Sequence, residues 1–82
     1  MIFFVYVLRS QSTENLYTGQ TSNLERRLHE HQEGDARYTR GRGPWTMVHK
    51  ETYPTRSEAK KREKFLKSGK GREYLKDILK DK

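Results

Sequence analysis

The 82-residue chain contains no cysteine, only two prolines and a single tryptophan. Without cysteine it can form neither a disulfide framework nor a thiolate metal site, so a thin hydrophobic core must hold the fold. Hydrophobic residues make up only 30% of the chain, and the apolar stretch over residues 2–8 is too short to span a bilayer. We therefore expect one domain over residues 1–82, located in the cytoplasm and not in a membrane.

Acidic residues are also scarce, with 11 against 18 basic ones, which gives a net charge of +7. The excess lies towards the C-terminal end, because residues 56–82 carry a net +6 and residues 1–55 only +1. Such a bias suggests a polyanionic partner such as nucleic acid. On charge alone, a solvated and highly soluble helix surface explains the bias equally well.

The N-terminal third of the chain predicts an antiparallel hairpin. Residues 2–9 are almost continuously apolar and rich in β-formers, as in a strand covered on both faces. A polar turn follows, and residues 16–19 return as a second strand. If the hairpin closes so that Tyr6 lies opposite Gly19, then Tyr6 and Tyr17 share one face of the sheet, whereas a slip of one residue would separate them.

A helix is predicted directly after this hairpin. Ser22 and Glu25 have the spacing of a capping box, which predicts a helix over about residues 23–33. Arg27 and His31 are four positions apart on that helix and therefore point the same way. A strand that carries a tyrosine, followed by an arginine and a histidine on one helix face, indicates a site for an anion.

The remainder of the chain predicts one more strand and two more helices. Apolar and polar residues alternate over residues 45–51, which predicts a third strand that ends before Pro54. Thr55 and Glu58 form a second capping box, and the apolar spacing over residues 72–80 predicts a short third helix. The predicted fold class is α+β, a three-stranded antiparallel sheet flanked by helices in the order β-β-α-β-α-α.

Glu63 occupies an unusual position on the second predicted helix. The apolar positions there are Ala59, Phe65 and Leu66, and Glu63 falls on or beside that stripe. A carboxylate so placed is costly unless it is paired or holds a cation. From the residues alone, Glu63 either swings to solvent, pairs with Arg27 or binds a metal.

A basic loop is predicted over residues 35–43, where three arginines surround a tyrosine between glycines. Arginine forks bind phosphates and an exposed tyrosine stacks on bases, so the loop suits nucleic-acid contacts. A mobile surface loop with solvated charges is the alternative. Trp45, which follows it, is more simply explained as a core anchor.

Residues 4–8 and 16–19 resemble the two-part signature of the GIY-YIG nucleases. Tyr6 corresponds to the first tyrosine of that signature, Tyr17 to the second, and Arg27 to the arginine of the family. The blocks most similar to the small stand-alone bacterial members and to the structure-specific repair branch are residues 43–48 and 57–63.

The resemblance implies a metal-dependent DNA endonuclease that hydrolyses phosphodiester bonds with low sequence specificity, in repair or recombination, on DNA that is branched or damaged. Arg27 would stabilise charge on the phosphate, and Glu63 would hold one Mg²⁺ or Mn²⁺ ion. Tyr6 would activate water, with Tyr17 orienting it and His31 able to take a proton from Tyr6. Larger family members carry a further polar residue after the metal glutamate and a DNA-targeting domain, neither of which we identify in this sequence.

The DNA contacts expected outside that centre are Arg37, Tyr38, Arg40, Arg42, Lys60 and Lys67. We expect the protein to act as a monomer or weak dimer. Two other functions fit the same residues: a non-catalytic nucleic-acid-binding module that uses the same fold and basic face, and a subunit whose basic third helix docks on an acidic protein.

Overall fold

In the computed structural model, which describes residues 1–32 and 44–80, the elements follow the predicted order β-β-α-β-α-α. The three strands form one antiparallel sheet in the order β2-β1-β3, so the apolar first strand is central. The predicted fold class is therefore confirmed. The elements are β1 (Phe3–Ser10), β2 (Leu16–Thr21), α1 (Leu24–Gln32), β3 (Trp45–Tyr53), α2 (Arg56–Lys67) and α3 (Gly69–Leu79).

The hairpin of β1 and β2 has the predicted register. The Ser10 amide donates to the Asn15 carbonyl at 2.9 Å, and Tyr6 lies opposite Gly19. Both tyrosines that the sequence assigned to one face do lie on one face, with the ring centroids of Tyr6 and Tyr17 6.3 Å apart. Register alone thus brings together two side chains that are eleven positions apart in the sequence.

The sheet is covered on both faces, which explains the continuous apolar run of β1. Alternate side chains of a strand point to opposite faces. One face carries Val5 and Val7, packed against three buried side chains of α2 and α3, namely Ala59, Leu66 and Leu75. The opposite face carries Tyr6, Leu8 and Trp45, with partly buried side chains of α1 packed on them. Trp45 is therefore the core anchor that the simpler interpretation proposed.

The start of α1 corrects one prediction. Asn23, and not Ser22, caps the helix, because the Asn23 Oδ1 accepts from the Arg26 amide at 3.1 Å. Asparagine is as good an N-cap as serine, and here the Asn23 amide is itself held by the Thr21 hydroxyl at 3.1 Å. The predicted end of this helix at residues 33–34 lies outside the described residues.

The start of α3 corrects a second prediction. The helix begins at Gly69, three residues earlier than the apolar spacing indicated. Ser68 both ends α2, with its amide donating to the Phe65 carbonyl at 2.9 Å, and caps α3 through its hydroxyl, which accepts from the Gly71 amide. A Cβ at Gly71 would lie 1.9 Å from the Phe65 carbonyl oxygen, so this glycine permits close helix packing and does not break the helix.

A polar cluster joins β3 to α2. The Glu51 carboxylate accepts two bonds from Arg62, at 2.8 and 3.1 Å, and one from the Tyr53 hydroxyl at 2.7 Å. Burial works to raise the pKa of Glu51, but these bonds and the one with His49 outweigh it and lower the pKa to about 2. Glu51 therefore stays ionised and ties the third strand to the second helix.

A third prediction, that Phe65 is buried, is wrong. Phe65, expected on the buried stripe of α2, is 36% exposed and lies beside Tyr74, which is 38% exposed, with ring centroids 6.3 Å apart. The Arg62 guanidinium lies about 5 Å from both rings, so Phe65 packs on a cation at the surface and not in the core. None of the helices described in the structure is long and apolar enough to cross a membrane.

Candidate active site

Gly19 makes room for the phenol of Tyr6. The Tyr6 ring crosses the neighbouring strand at this position, and a Cβ on residue 19 would lie 2.5 Å from the hydroxyl oxygen and 2.7 Å from Cζ. A real Cβ does not approach other atoms this closely, so any larger residue would displace the ring. The sequence reasoning placed Gly19 opposite Tyr6, but it did not identify this steric role.

His31 reaches the same phenol from α1. Its Nε2 lies 3.0 Å from the Tyr6 hydroxyl, and its ring centroid lies 4.8 Å from that of Tyr17. The side chain is 1% exposed. Burial, helped by the charge of Arg27, lowers the pKa of His31 to about 4, so the imidazole is neutral at neutral pH and its Nε2 can accept the Tyr6 proton.

The Tyr6 phenol holds its proton firmly. Burial raises the pKa of the Tyr6 phenol to about 12, against a hydrogen bond from Arg27 that works to lower it. Negative charge on Tyr17 and on Glu63 also raises the pKa, and the effect of Glu63 is the smallest of these causes. Tyr6 is therefore a neutral hydroxyl at neutral pH, and deprotonating it requires an additional positive charge or a proton acceptor.

Arg27 lies between the two phenols and an acidic partner on its own helix. Its hydrogen bond with Tyr6 is the main cause of a pKa raised above the usual arginine range, and its Nη1 donates to Glu30 Oε1 at 3.1 Å. The side chain is partly exposed, so part of the guanidinium is open to an approaching anion. The sequence reasoning missed Glu30, although its i,i+3 spacing from Arg27 is a recognisable signal.

Glu63 approaches from α2. Its carboxylate pairs with the Lys67 ammonium at 3.2 Å, and not with Arg27, which was one of the predicted alternatives. The side chain is 23% exposed, and its charge is near enough to contribute to the raised pKa of Tyr6. Of the residues predicted to form the centre, the structure thus gathers Tyr6, Tyr17, Arg27 and His31 in direct contact and Glu63 at longer electrostatic range.

The residues present fit a single Mg²⁺ or Mn²⁺ ion bound mainly by water and substrate. Residues 1–32 and 44–80 contain no group of three or more acidic, histidine or cysteine side chains that could form a full protein cage. Mg²⁺ does not need one, because it commonly takes one or two carboxylates together with phosphate oxygens and water. Glu63, whose side chain is 23% exposed, could supply such a carboxylate.

The predicted nucleic-acid contacts are only partly covered by the structure. Lys60 is exposed on α2, and Lys67 lies one turn beyond Glu63 on the same helix. The four contacts predicted in the basic loop lie outside the described residues: Arg37, Tyr38, Arg40 and Arg42.

Comparison with known proteins identifies the family of the chain. The family model of the GIY-YIG catalytic domain matches residues 2–75. A UPF0213 protein of Natronomonas pharaonis is 52% identical over 66 residues, which cover 79% of this chain and 76% of that protein. A UPF0213 protein of Clostridium perfringens is 46% identical over 65 residues, covering 78% and 69%.

A solved structure agrees as well. The solution NMR structure of a UPF0213 protein from Bacillus halodurans superposes with a TM-score of 0.60 at 36% identity, covering 95% of this chain and 85% of that one. Both the sequence and the fold therefore point to one family. This chain belongs to the GIY-YIG nuclease family, among its small UPF0213 members.

Proposed function

We propose that this protein is a divalent-metal-dependent DNA endonuclease that hydrolyses phosphodiester bonds with low sequence specificity during repair or recombination. The observation that carries the proposal is the hydrogen bond between Tyr6 and His31, with Arg27 and Tyr17 packed around it. If the hydrogen bond between Tyr6 and His31 only stabilised the fold, it would not need a partly exposed arginine beside it. A site for phosphate hydrolysis needs an anion-binding fork beside a proton acceptor.

In the proposed reaction, Arg27 binds the non-bridging oxygens of the scissile phosphate and stabilises the negative charge that builds up on them. A divalent ion at Glu63 would supply Lewis-acid polarisation of the phosphate and stabilise the departing 3′-oxygen. Tyr17 lies against the His31 ring and orients the attacking water or a phosphate oxygen. Each of these groups acts without a change of its own protonation state.

Tyr6 and His31 handle the proton of the attacking water. The Tyr6 oxygen accepts a proton from water while its own hydroxyl proton passes to His31 Nε2, which is 3.0 Å away. This relay avoids a free phenolate, which the pKa of about 12 disfavours. A bound phosphate offsets the charge of Arg27, the second cause of the low His31 pKa, so the substrate itself makes His31 a better base.

The proposal is tested by nicking assays on linear and branched DNA with Mg²⁺ or Mn²⁺. Wild type is expected to cut, and Glu63→Gln is expected to lose at least about 100-fold in rate. Asp77→Asn, which removes one carboxylate from an exposed position on α3, serves as the matched control and should cut normally. If the protein binds DNA with an affinity that falls as salt rises, but never nicks it, the nuclease proposal is wrong. The alternative function, a non-catalytic nucleic-acid-binding module, would then be supported.

A further inference from the structure

A groove of about 700 Å³ runs beside β2, and we call it the β2-edge groove. It lies between the start of β2 and the junction of α2 with α3. Its apolar lining comes from Leu16, Leu66 and Leu75. Leu66 and Leu75 also belong to the core beneath the sheet, so this part of the lining is rigid.

The β2-edge groove is linked to the candidate active site through Glu63. Tyr17 lines it from β2, while the Tyr17 ring packs with Tyr6 and His31 on the opposite face of the sheet. Lys67 lines it too, and its ammonium pairs with Glu63 at 3.2 Å. The groove is therefore linked to the proposed reaction centre on the α2 side, through the ion pair between Lys67 and Glu63.

Three cations line the groove in an order that leads away from Glu63. Lys67 ends α2, and Arg72 and Lys76 follow on α3. Arg72 and Lys76 are four positions apart on one helix, so they lie on the same face. Two carboxylates, Glu14 and Glu73, also line the groove, so the charge there is net positive by one.

The open edge of β2 supplies further donors. β2 is an outer strand of the sheet, and no other strand of the described residues pairs with its free side. The backbone N–H groups on that side can donate to phosphate oxygens, which accept many of the hydrogen bonds that proteins make to nucleic acids. Cations on one wall and N–H groups on the other suit a phosphodiester backbone better than a compact ligand.

We infer that the β2-edge groove binds the backbone of the cleaved polynucleotide strand on one side of the scissile phosphate. This inference rests on the proposed nuclease function. Lys67, Arg72 and Lys76 contact successive phosphates, and the leucines contact sugars and bases. An acidic peptide would match the cations equally well, but it gains nothing from a groove whose Lys67 pairs with Glu63 of the proposed reaction centre. The observations therefore favour the nucleic acid.

The experiment measures affinity for a labelled DNA duplex without divalent ions, between 50 and 200 mM salt. Each phosphate contact contributes about 0.9 to the slope of log affinity against log salt. The double variant Arg72→Gln/Lys76→Gln should lower that slope by about 2 and weaken binding at least about tenfold at 100 mM salt. The matched control, Lys61→Gln/Lys64→Gln, removes the same charge from exposed positions of α2 outside the groove. An equal fall in slope for both double variants would overturn the inference.

A second variant guards against loss of folding. Glu73→Gln removes a carboxylate from the groove and should tighten DNA binding about two- to threefold, which a destabilised protein would not do. Weaker or unchanged binding by this variant would contradict the inference. So would a polyglutamate peptide that competes with DNA at equal concentration of charge.

Cleavage kinetics separate the groove from the reaction centre. If the protein cuts, Arg72→Gln/Lys76→Gln should raise KM and leave kcat unchanged, because the lost contacts are equal in ground and transition states. Normal DNA affinity and KM in this variant, alongside a Glu63→Gln protein that does not cut, would show that the groove does not bind DNA. The proposed nuclease function would then still stand. Groove-dependent binding without any cleavage by wild type would overturn the nuclease and keep the groove as a binding surface.

Discussion

Acidification should destabilise the fold through His31 before any carboxylate cluster contributes. Burial, with the neighbouring Arg27, lowers the pKa of His31 from 6.5 to about 4, and only the opposing charge of Glu30 acts the other way. The unfolded chain therefore binds this proton first as the pH falls. The contribution of neutral His31 to the unfolding free energy is therefore complete above pH 6.5 and is lost progressively as the pH falls to 4.

The magnitude follows from the size of the shift. A difference of about 2.5 pKa units corresponds to about 3 kcal/mol of unfolding free energy. The His31 side chain is buried, so protonating it in the folded state places a charge away from water. A domain of 82 residues is typically stable by only about 4–12 kcal/mol, so the loss is a large part of the total.

The assay is urea unfolding of wild type and His31→Gln at pH 7.0, 6.5, 5.5 and 4.5. Glutamine does not titrate and can still accept a hydrogen bond from Tyr6. The wild-type advantage should shrink by about 2–3 kcal/mol between pH 6.5 and 4.5. Glu51 does not interfere in this window, because its lowered pKa makes its contribution fade only below about pH 4.5.

The exposed His29 supplies the control, since His29→Gln should keep the pH dependence of wild type. Parallel stability curves for wild type and His31→Gln would refute the reasoning. They would mean that His31 gains a proton in the folded state as readily as in the unfolded one.

Two glycine substitutions test the packing of the fold and the site. Gly19→Ala should displace the Tyr6 phenol, since the new Cβ would lie 2.5 Å from its oxygen. The cleavage rate should fall at least about tenfold while the circular dichroism spectrum stays native. Normal cleavage by this variant would contradict the steric role of Gly19. Gly71→Ala should lower the unfolding free energy by about 1–3 kcal/mol in urea, because its Cβ would meet the Phe65 carbonyl at 1.9 Å. Gly69→Ala is the matched control, with nothing within 4 Å of the new Cβ, and should be neutral or stabilising; equal losses for both variants would contradict the packing argument.

The hairpin was predictable from sequence because local chemistry fixes it. The polar turn closes between Ser10 and Asn15, and strand alternation then decides which side chains share a face. The same applies to the start of α2, where the Thr55 hydroxyl accepts from the Glu58 amide as the capping box predicted. Signals that span only a few residues thus determined the main elements and brought the two tyrosines together.

The errors arose where tertiary packing outweighed local preference. Glycine is a poor helix former, yet Gly71 lies within the first turn of α3 because only a glycine lets that turn approach Phe65. The pairing of Glu51 with Arg62 depends on how α2 docks beneath β3, and no spacing in the sequence encodes this. Of the alternatives left open for Glu63, the pairing with Arg27 does not form, because Lys67 one turn further along the same helix takes that place.

The most direct test of the proposed reaction centre is single-turnover cleavage of DNA with Mg²⁺ by wild type, Arg27→Ala and Arg26→Ala. The two arginines are neighbours and both pair with Glu30, but only Arg27 hydrogen-bonds with Tyr6. The proposed centre predicts a loss of at least about 100-fold for Arg27→Ala and a rate within about threefold of wild type for Arg26→Ala. Undiminished cleavage by Arg27→Ala, or equal losses in the two variants, would contradict it.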